Sequence, residues 1–233
     1  PVRFSGSTQR YPFTEDAFLR MLRRTTDNRY VFSIREAGMD AVIDDVYDHR
    51  ADIGVIFLTE LTEKIIRRLL DARDLDFHEI AAVSPCIYVR KGHPLANRDE
   101  VTEEDLAGLP YVSFEHNQGV GTDYSEEYQL LSMKKPPRQI SVNNRATMMN
   151  VLAATDAYTT GSGLLVEGIT SQAVVTMPLA GKTCIRIGWI RPRNSKLTPY
   201  VAQFVGLLDQ SIAESIAFTE SVHQSLCHSG ADT

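Results

Sequence analysis

"DIGVIFL", residues 52–58, decides the fold. It is a near-continuous apolar run of strand length, with none of the alternation a half-solvated strand shows. That pattern belongs to a strand covered on both faces, as in a parallel sheet. Just upstream, Met39, Val42, Ile43, Val46 and Tyr47 recur at i, i+3, i+4, i+7 and i+8. This spacing puts them on one face of a helix. Further back, "YVFSIRE" (30–36) is rich in β-formers and is broken by Gly38. Before it, Phe18, Met21 and Leu22 form an apolar helical stripe, with Glu15 and Asp16 in the first turn, where acids complement the helix dipole. Residues 2–6 read as a buried strand. The order is strand, helix, strand, helix, strand, which predicts a parallel sheet with right-handed crossovers.

Downstream, a helix is expected over 61–72 and strands over 77–83 and 85–90. A loop holding Gly92 and Pro94 follows. "TEEDLAG" predicts a short helix capped by Thr102 and stopped by Gly108. "YVSF" (111–114) reads as a strand, and Asp123 can open a helix to about residue 131. "RQISV" (138–142) is a further strand. Asn143 or Asn144 then caps a helix carrying Met148, Val151 and Leu152. A strand at 157–160 closes at Gly161. This second α/β pattern occupies roughly 84–160. Beyond it come a short helix from Ser162 to about Gly168 and strands at 173–178 and 183–190. A long final helix follows, with Leu197, Val201, Phe204, Val205, Leu208 and Ile212 on one stripe.

A chain of 233 residues accommodates two lobes of about 100 residues each. A hydrophobic share of 43% and a charged share of 23% suit a soluble globular protein with a sizeable core. The net charge of −6 leaves no dominant basic face, and the small clusters at Arg20, Arg23 and Arg24 and at Lys134, Lys135 and Arg138 read as solvated surface. Direct nucleic-acid binding by this stretch itself is not expected. Cys86, Cys184 and Cys227 form no Cys-x-x-Cys pair and no disulfide framework, which suits a reducing, cytoplasmic location. No leader-like start and no apolar run of about 18 residues is present, so neither export nor membrane insertion is expected. The start at Pro1 reads as a fragment or a processed chain.

Ligands of open parallel sheets gather outside the carboxyl ends of the strands. There the first strand runs into Ser7, Thr8 and Gln9, small and polar, ahead of a helix start whose free N–H groups favour an anion. The same residues can serve simply as a helix cap. A like junction recurs at Asn143-Asn144-Arg145. Two α/β lobes with such junctions facing one another would hold a small carboxylate or a similar polar molecule.

Four stretches together resemble the effector-binding domain of LysR-type transcriptional regulators. They are "RFSGST", "DHRADIGVIF", "CIYVRKGHPLANRDEVTEEDLAGLPYVSFE" and "TTGSGLLVEG", spread over about Val2 to Ile216. The resemblance implies an α/β fold of two Rossmann-like lobes joined by two crossovers, like type 2 periplasmic binding proteins. Mapped onto this chain, the first lobe takes 1–83 and 162–233 and the second takes 84–161. It implies an effector site between the lobes. Ser7, Thr8 and Gln9 stand at the first-lobe contacts, Asn143 and Asn144 at the second-lobe position, and Ser113 and Phe114 are further candidates. It implies a homodimer formed through 30–36, 39–48 and the helix near 197–212, and a tetramer in the full-length regulator. It also implies allosteric relay to a winged helix-turn-helix that this chain lacks. DNA is therefore a partner only through an upstream domain.

Other motifs are set aside. Gly119-x-Gly121 lacks the third glycine of a phosphate loop, and Gly161-Ser162-Gly163 is not a nucleophile elbow. The six histidines form no His-x-x-x-His pair, so no metal and no cofactor are expected. No acid/base constellation points to an enzyme. The rival reading is a solute-binding protein for transport, on the same kind of fold.

Overall fold

The computed structural model describes residues 1–115, 136–170, 172–181 and 183–229. The loop holding Gly119 and Gly121 and the helix expected from Asp123 lie outside them. The chain forms two compact units: Pro1–Val83 with Ile185–Ile216, and Ser84–Cys184 with Ala217 onward.

The first unit contains β1 (Val2–Thr8), α1 (Pro12–Arg24), β2 (Tyr30–Glu36), α2 (Met39–Tyr47), β3 (Ile53–Thr59), α3 (Glu63–Ala72), β4 (Leu75–Val83) and β10 (Ile185–Pro192). Its sheet has the order β2-β1-β3-β10-β4. β1 pairs in parallel with both β2 and β3, as the strand–helix alternation predicts. β10 enters from far along the chain and runs antiparallel between β3 and β4, so the sheet is mixed. Every residue of β3 is buried. Val42, Ile43 and Val46 of α2 pack there with Ile56, Leu58 and Ile190, together with Ile66 and Leu70 of α3. Gly54 permits that approach. A Cβ at this position would sit 2.8–2.9 Å from Ile190, Val42 and Val46. Elsewhere in the unit, Phe4 of β1 meets Phe18 of α1 and Phe204.

The second unit contains β5 (Cys86–Arg90), β6 (Tyr111–Phe114), β7 (Gln139–Val142), α4 (Arg145–Ala154), β8 (Thr159–Gly161) and β9 (Val174–Pro178). β5 lies antiparallel between β8 and β9, and β6 pairs in parallel with β7. A bridge between Tyr111 and Tyr158 links the two sheets. α5 (Pro199–Ser229) gives its residues to Ile216 to the first unit and the remainder to the second.

Four expectations differ from this arrangement. Residues 162–184, assigned by sequence order to the first lobe, pack in the second unit, because β9 completes the β5 sheet. The terminal part of α5 joins them there. The 102–108 segment is not a helix but a run of turns. Thr102 and Asp105 do form reciprocal cap bonds, with Asp105 Oδ2 accepting from the Thr102 N–H at 2.9 Å and Thr102 Oγ1 accepting from the Asp105 N–H at 3.3 Å. Six residues cannot repay helix nucleation, and Gly108 at φ +79° ends the run. Ser162 likewise starts no helix. Gly163 follows it at φ +71°, outside the helical region. Leu197 lies ahead of α5 rather than on its stripe. Thr198 Oγ1 accepts from the Val201 N–H, and Pro199 occupies the first helical position, which suits proline.

Candidate functional site

At the end of β1 the three polar residues are all buried, Gln9 completely so. Ser7 Oγ donates to Asp45 Oδ2 at 2.8 Å, and Thr8 Oγ1 donates to the Gln9 carbonyl at 2.7 Å. Neither hydroxyl caps α1. That helix starts after Tyr11, which makes no side-chain cap bond, with Pro12 behind it. The committed hydroxyls retain lone pairs, so toward a ligand they act as acceptors. Gln9 supplies the spare donor. Its Oε1 accepts from the Phe57 N–H at 2.8 Å and from the Tyr11 hydroxyl at 3.3 Å, which orients the amide. Its Nε2 is then left without a partner. A buried amide N–H of this kind costs about 1–3 kcal/mol unless something accepts from it.

In the second unit, Ser113 and Phe114 end β6 opposite Ser141 and Val142 of β7, and Asn143 and Asn144 follow β7 directly. All four therefore gather at one end of a parallel pair. Ser113 is buried, and Phe114 packs with Val112, Met148 and Leu152 as a core residue. Asn144 is the N-cap of α4, its Oδ1 accepting from the Thr147 N–H at 2.9 Å. Its Nδ2 donates to Asn143 Oδ1 at 2.8 Å. Both asparagines are exposed, as a cap and its neighbour at a helix start can be.

Sequence reasoning missed Tyr88. On β5 its hydroxyl accepts from the Gly163 N–H at 2.8 Å and bonds the Ser162 side chain, while Arg145 at the start of α4 acts on it electrostatically. Burial pushes the Tyr88 phenol up to about 12, reinforced by Cys86, while those bonds and Arg145 pull the other way. Burial also pushes the Cys86 thiol up to about 12. Both groups are neutral near pH 7, so Cys86 offers no thiolate and Tyr88 no phenolate. The signal for this contact was the glycine pair in "TTGSG". A Cβ on Gly161 would lie 3.2 Å from the Tyr88 ring, and one on Gly163 would lie 2.4 Å from Cys86 Sγ. Among the described residues no group of three His, Cys, Asp or Glu side chains could hold a metal ion, and no helix is long and apolar enough to cross a membrane.

The sequence matches the model of the LysR substrate binding domain over residues 21–213. No curated protein matches by sequence search. Among solved structures, the chain is similar to the effector binding domain of QuiR in complex with shikimate, with 14% identity, TM-score 0.59, and coverage of 91% of this chain and 97% of that one. It is also similar to a variant of Corynebacterium glutamicum OxyR, with 14% identity, TM-score 0.66, and coverage of 94% and 67%. CbnR, a LysR family transcriptional regulator, matches with 16% identity, TM-score 0.55, and coverage of 90% and 70%. At these identities the structural matches speak to the fold. The chain belongs to the LysR substrate binding domain family, and its class is that of the effector-binding domains of LysR-type regulators.

Proposed function

We propose that this domain senses a small polar or anionic molecule through its polar strand ends, and that occupancy is relayed through homodimer contacts to the DNA-reading part of a cytoplasmic regulator. The family match carries the reading as a sensor. Support for the ligand's chemistry comes from the orphaned Gln9 Nε2 in one unit and the exposed Asn143 and Asn144 amides at the start of α4 in the other. Each is a donor suited to a carboxylate or carbonyl oxygen. The ligand biases the regulator only through a difference in affinity between two states, a coupling of about 1–3 kcal/mol in typical cases. The reading is of a binding module, in keeping with the family match.

The test is a thermal-shift panel of small polar carboxylates, with shikimate as its first member because a fold relative binds it. At least one member is expected to raise Tm, and the rise should disappear in the Gln9→Glu/Asn144→Ala double variant, which keeps an acceptor for the Phe57 N–H but removes both amide donors. A panel without a hit, or a response that survives in the double variant, would overturn this placement.

A further inference from the structure

We propose that the second unit carries a separate site for a small apolar carboxylate, in a pocket walled by residues from 165–170 and 172–175 and by the terminal part of α5. The pocket has a volume of about 210 Å³. Leu165, Val166, Val174 and Val175 form one wall, and Phe218 and Val222 of α5 form the other. The pocket is open to solvent on one side and also lined by Thr170 and Gln172; its volume exceeds the roughly 150 Å³ that holds benzene in an apolar cavity, so a single aromatic ring or a branched aliphatic group matches it in size. None of its lining residues belongs to the strand-end junctions described above, and the inference does not depend on them.

The walls are held by hydrogen bonds rather than by side-chain packing alone. The Leu165 N–H donates to Thr219 Oγ1 of α5 at 2.9 Å, tying the segment to the helix. The Lys91 N–H donates to the Ala173 carbonyl at 2.7 Å, tying its other end to the continuation of β5. Within 166–170 the chain turns on itself. The Val166 N–H donates to Thr170 Oγ1, the Thr170 N–H returns to the Val166 carbonyl, and Gly168 takes φ +79°. A pocket fastened at both ends costs a ligand little ordering free energy.

The charge at the mouth selects the ligand class. Lys91 lines the pocket, is exposed, and has no carboxylate partner among the described residues. An ammonium beside an apolar hollow is complementary to a molecule with an apolar body and one anionic head. Glu167 also borders the pocket, so a cationic head is the competing possibility and is tested directly.

Benzoate is the probe, followed by methyl NMR of the whole domain. Saturable shifts at Val174 and Val222 are expected. Lys91→Met should weaken binding by roughly five-fold, the effect of one exposed ion pair. Val222→Phe should fill the pocket and abolish the shifts, and Asn144→Ala should leave them unchanged. Lys91→Met alters only a surface side chain, so the test stands even where Val222→Phe perturbs folding. Absence of shifts at millimolar benzoate would overturn the inference, as would equal binding by Lys91→Met or benzylamine binding as tightly as benzoate. Binding that is lost in Asn144→Ala but kept in Val222→Phe would overturn it too, and would assign benzoate to the strand-end site instead.

Discussion

Ser7 and Asp45 are joined by a 2.8 Å hydrogen bond that ties the end of β1 to the last turn of α2. Asp45 is 2% exposed and also accepts from Arg35 of β2 and from Arg50 beyond the helix. One buried carboxylate thus holds together β1, β2 and α2. Arg35 and Arg50 are 58% and 55% exposed, so solvent screens most of their ion-pair energy, and the buried Ser7 bond is the more sensitive part. Asp45→Ala leaves Ser7 without its acceptor and is expected to cost about 2–3 kcal/mol, read as a lower urea midpoint. A loss below about 0.5 kcal/mol, the usual range for surface changes, would refute this role.

Asn144 separates two functions that one alanine substitution would mix. Asn144→Ala removes the α4 cap and is expected to cost about 1 kcal/mol. Asn144→Asp retains an oxygen for the Thr147 N–H and adds a negative charge that favours the helix start, so its stability should equal or exceed the parent. The same charge repels an anionic ligand. Preserved Tm together with a lost carboxylate response is the expected pair of results for Asn144→Asp.

Gly163 is constrained twice, by its positive φ and by Cys86. Gly163→Ala is expected to destabilise by about 2–4 kcal/mol, combining overpacking and left-handed strain. Cys86→Gly in the same chain removes the clash but not the strain, so the double variant should recover part of the loss relative to Gly163→Ala. Strictly additive effects in a denaturation cycle would show that the two residues do not press on each other.

His78 stacks on Trp189, ring centroids 4.1 Å apart, and its Nε2 is buried without a partner. Burial lowers its pKa below the usual 6.5, helped by Arg191 and opposed by Asp76. The folded state therefore binds the proton less readily than the unfolded chain. Its contribution is fully present above the unfolded value of 6.5 and is lost as pH falls from there through the lower folded value. His223, also lowered by burial, adds to the same trend. His78→Phe keeps a ring against Trp189 and removes the titration. In melting curves taken from neutral to mildly acid pH, the parent should lose Tm more steeply than His78→Phe. Parallel curves would count against this assignment.

Much of this architecture is encoded within short windows. The apolar run at 52–58 and the Met39–Val46 stripe declare a covered strand and its helix, because burial on both faces or on one stripe leaves a pattern a few residues long. Asn144 before α4 is legible for the same reason, since a cap bonds an N–H only three positions away. The pairing of β9 with β5, the insertion of β10 between β3 and β4 and the isolated Gln9 amide carry no such mark. Each depends on residues dozens of positions apart, and a strand's periodicity states which faces are apolar without naming the neighbour. Sequence alone determined the family and the elements whose pattern is long and regular, the strand at 53–59 and the helices at 39–47 and 145–154 among them. Only tertiary structure decided which strands became partners and which polar atoms were left without one, because long-range pairing is selected by the free energy of the whole packed unit.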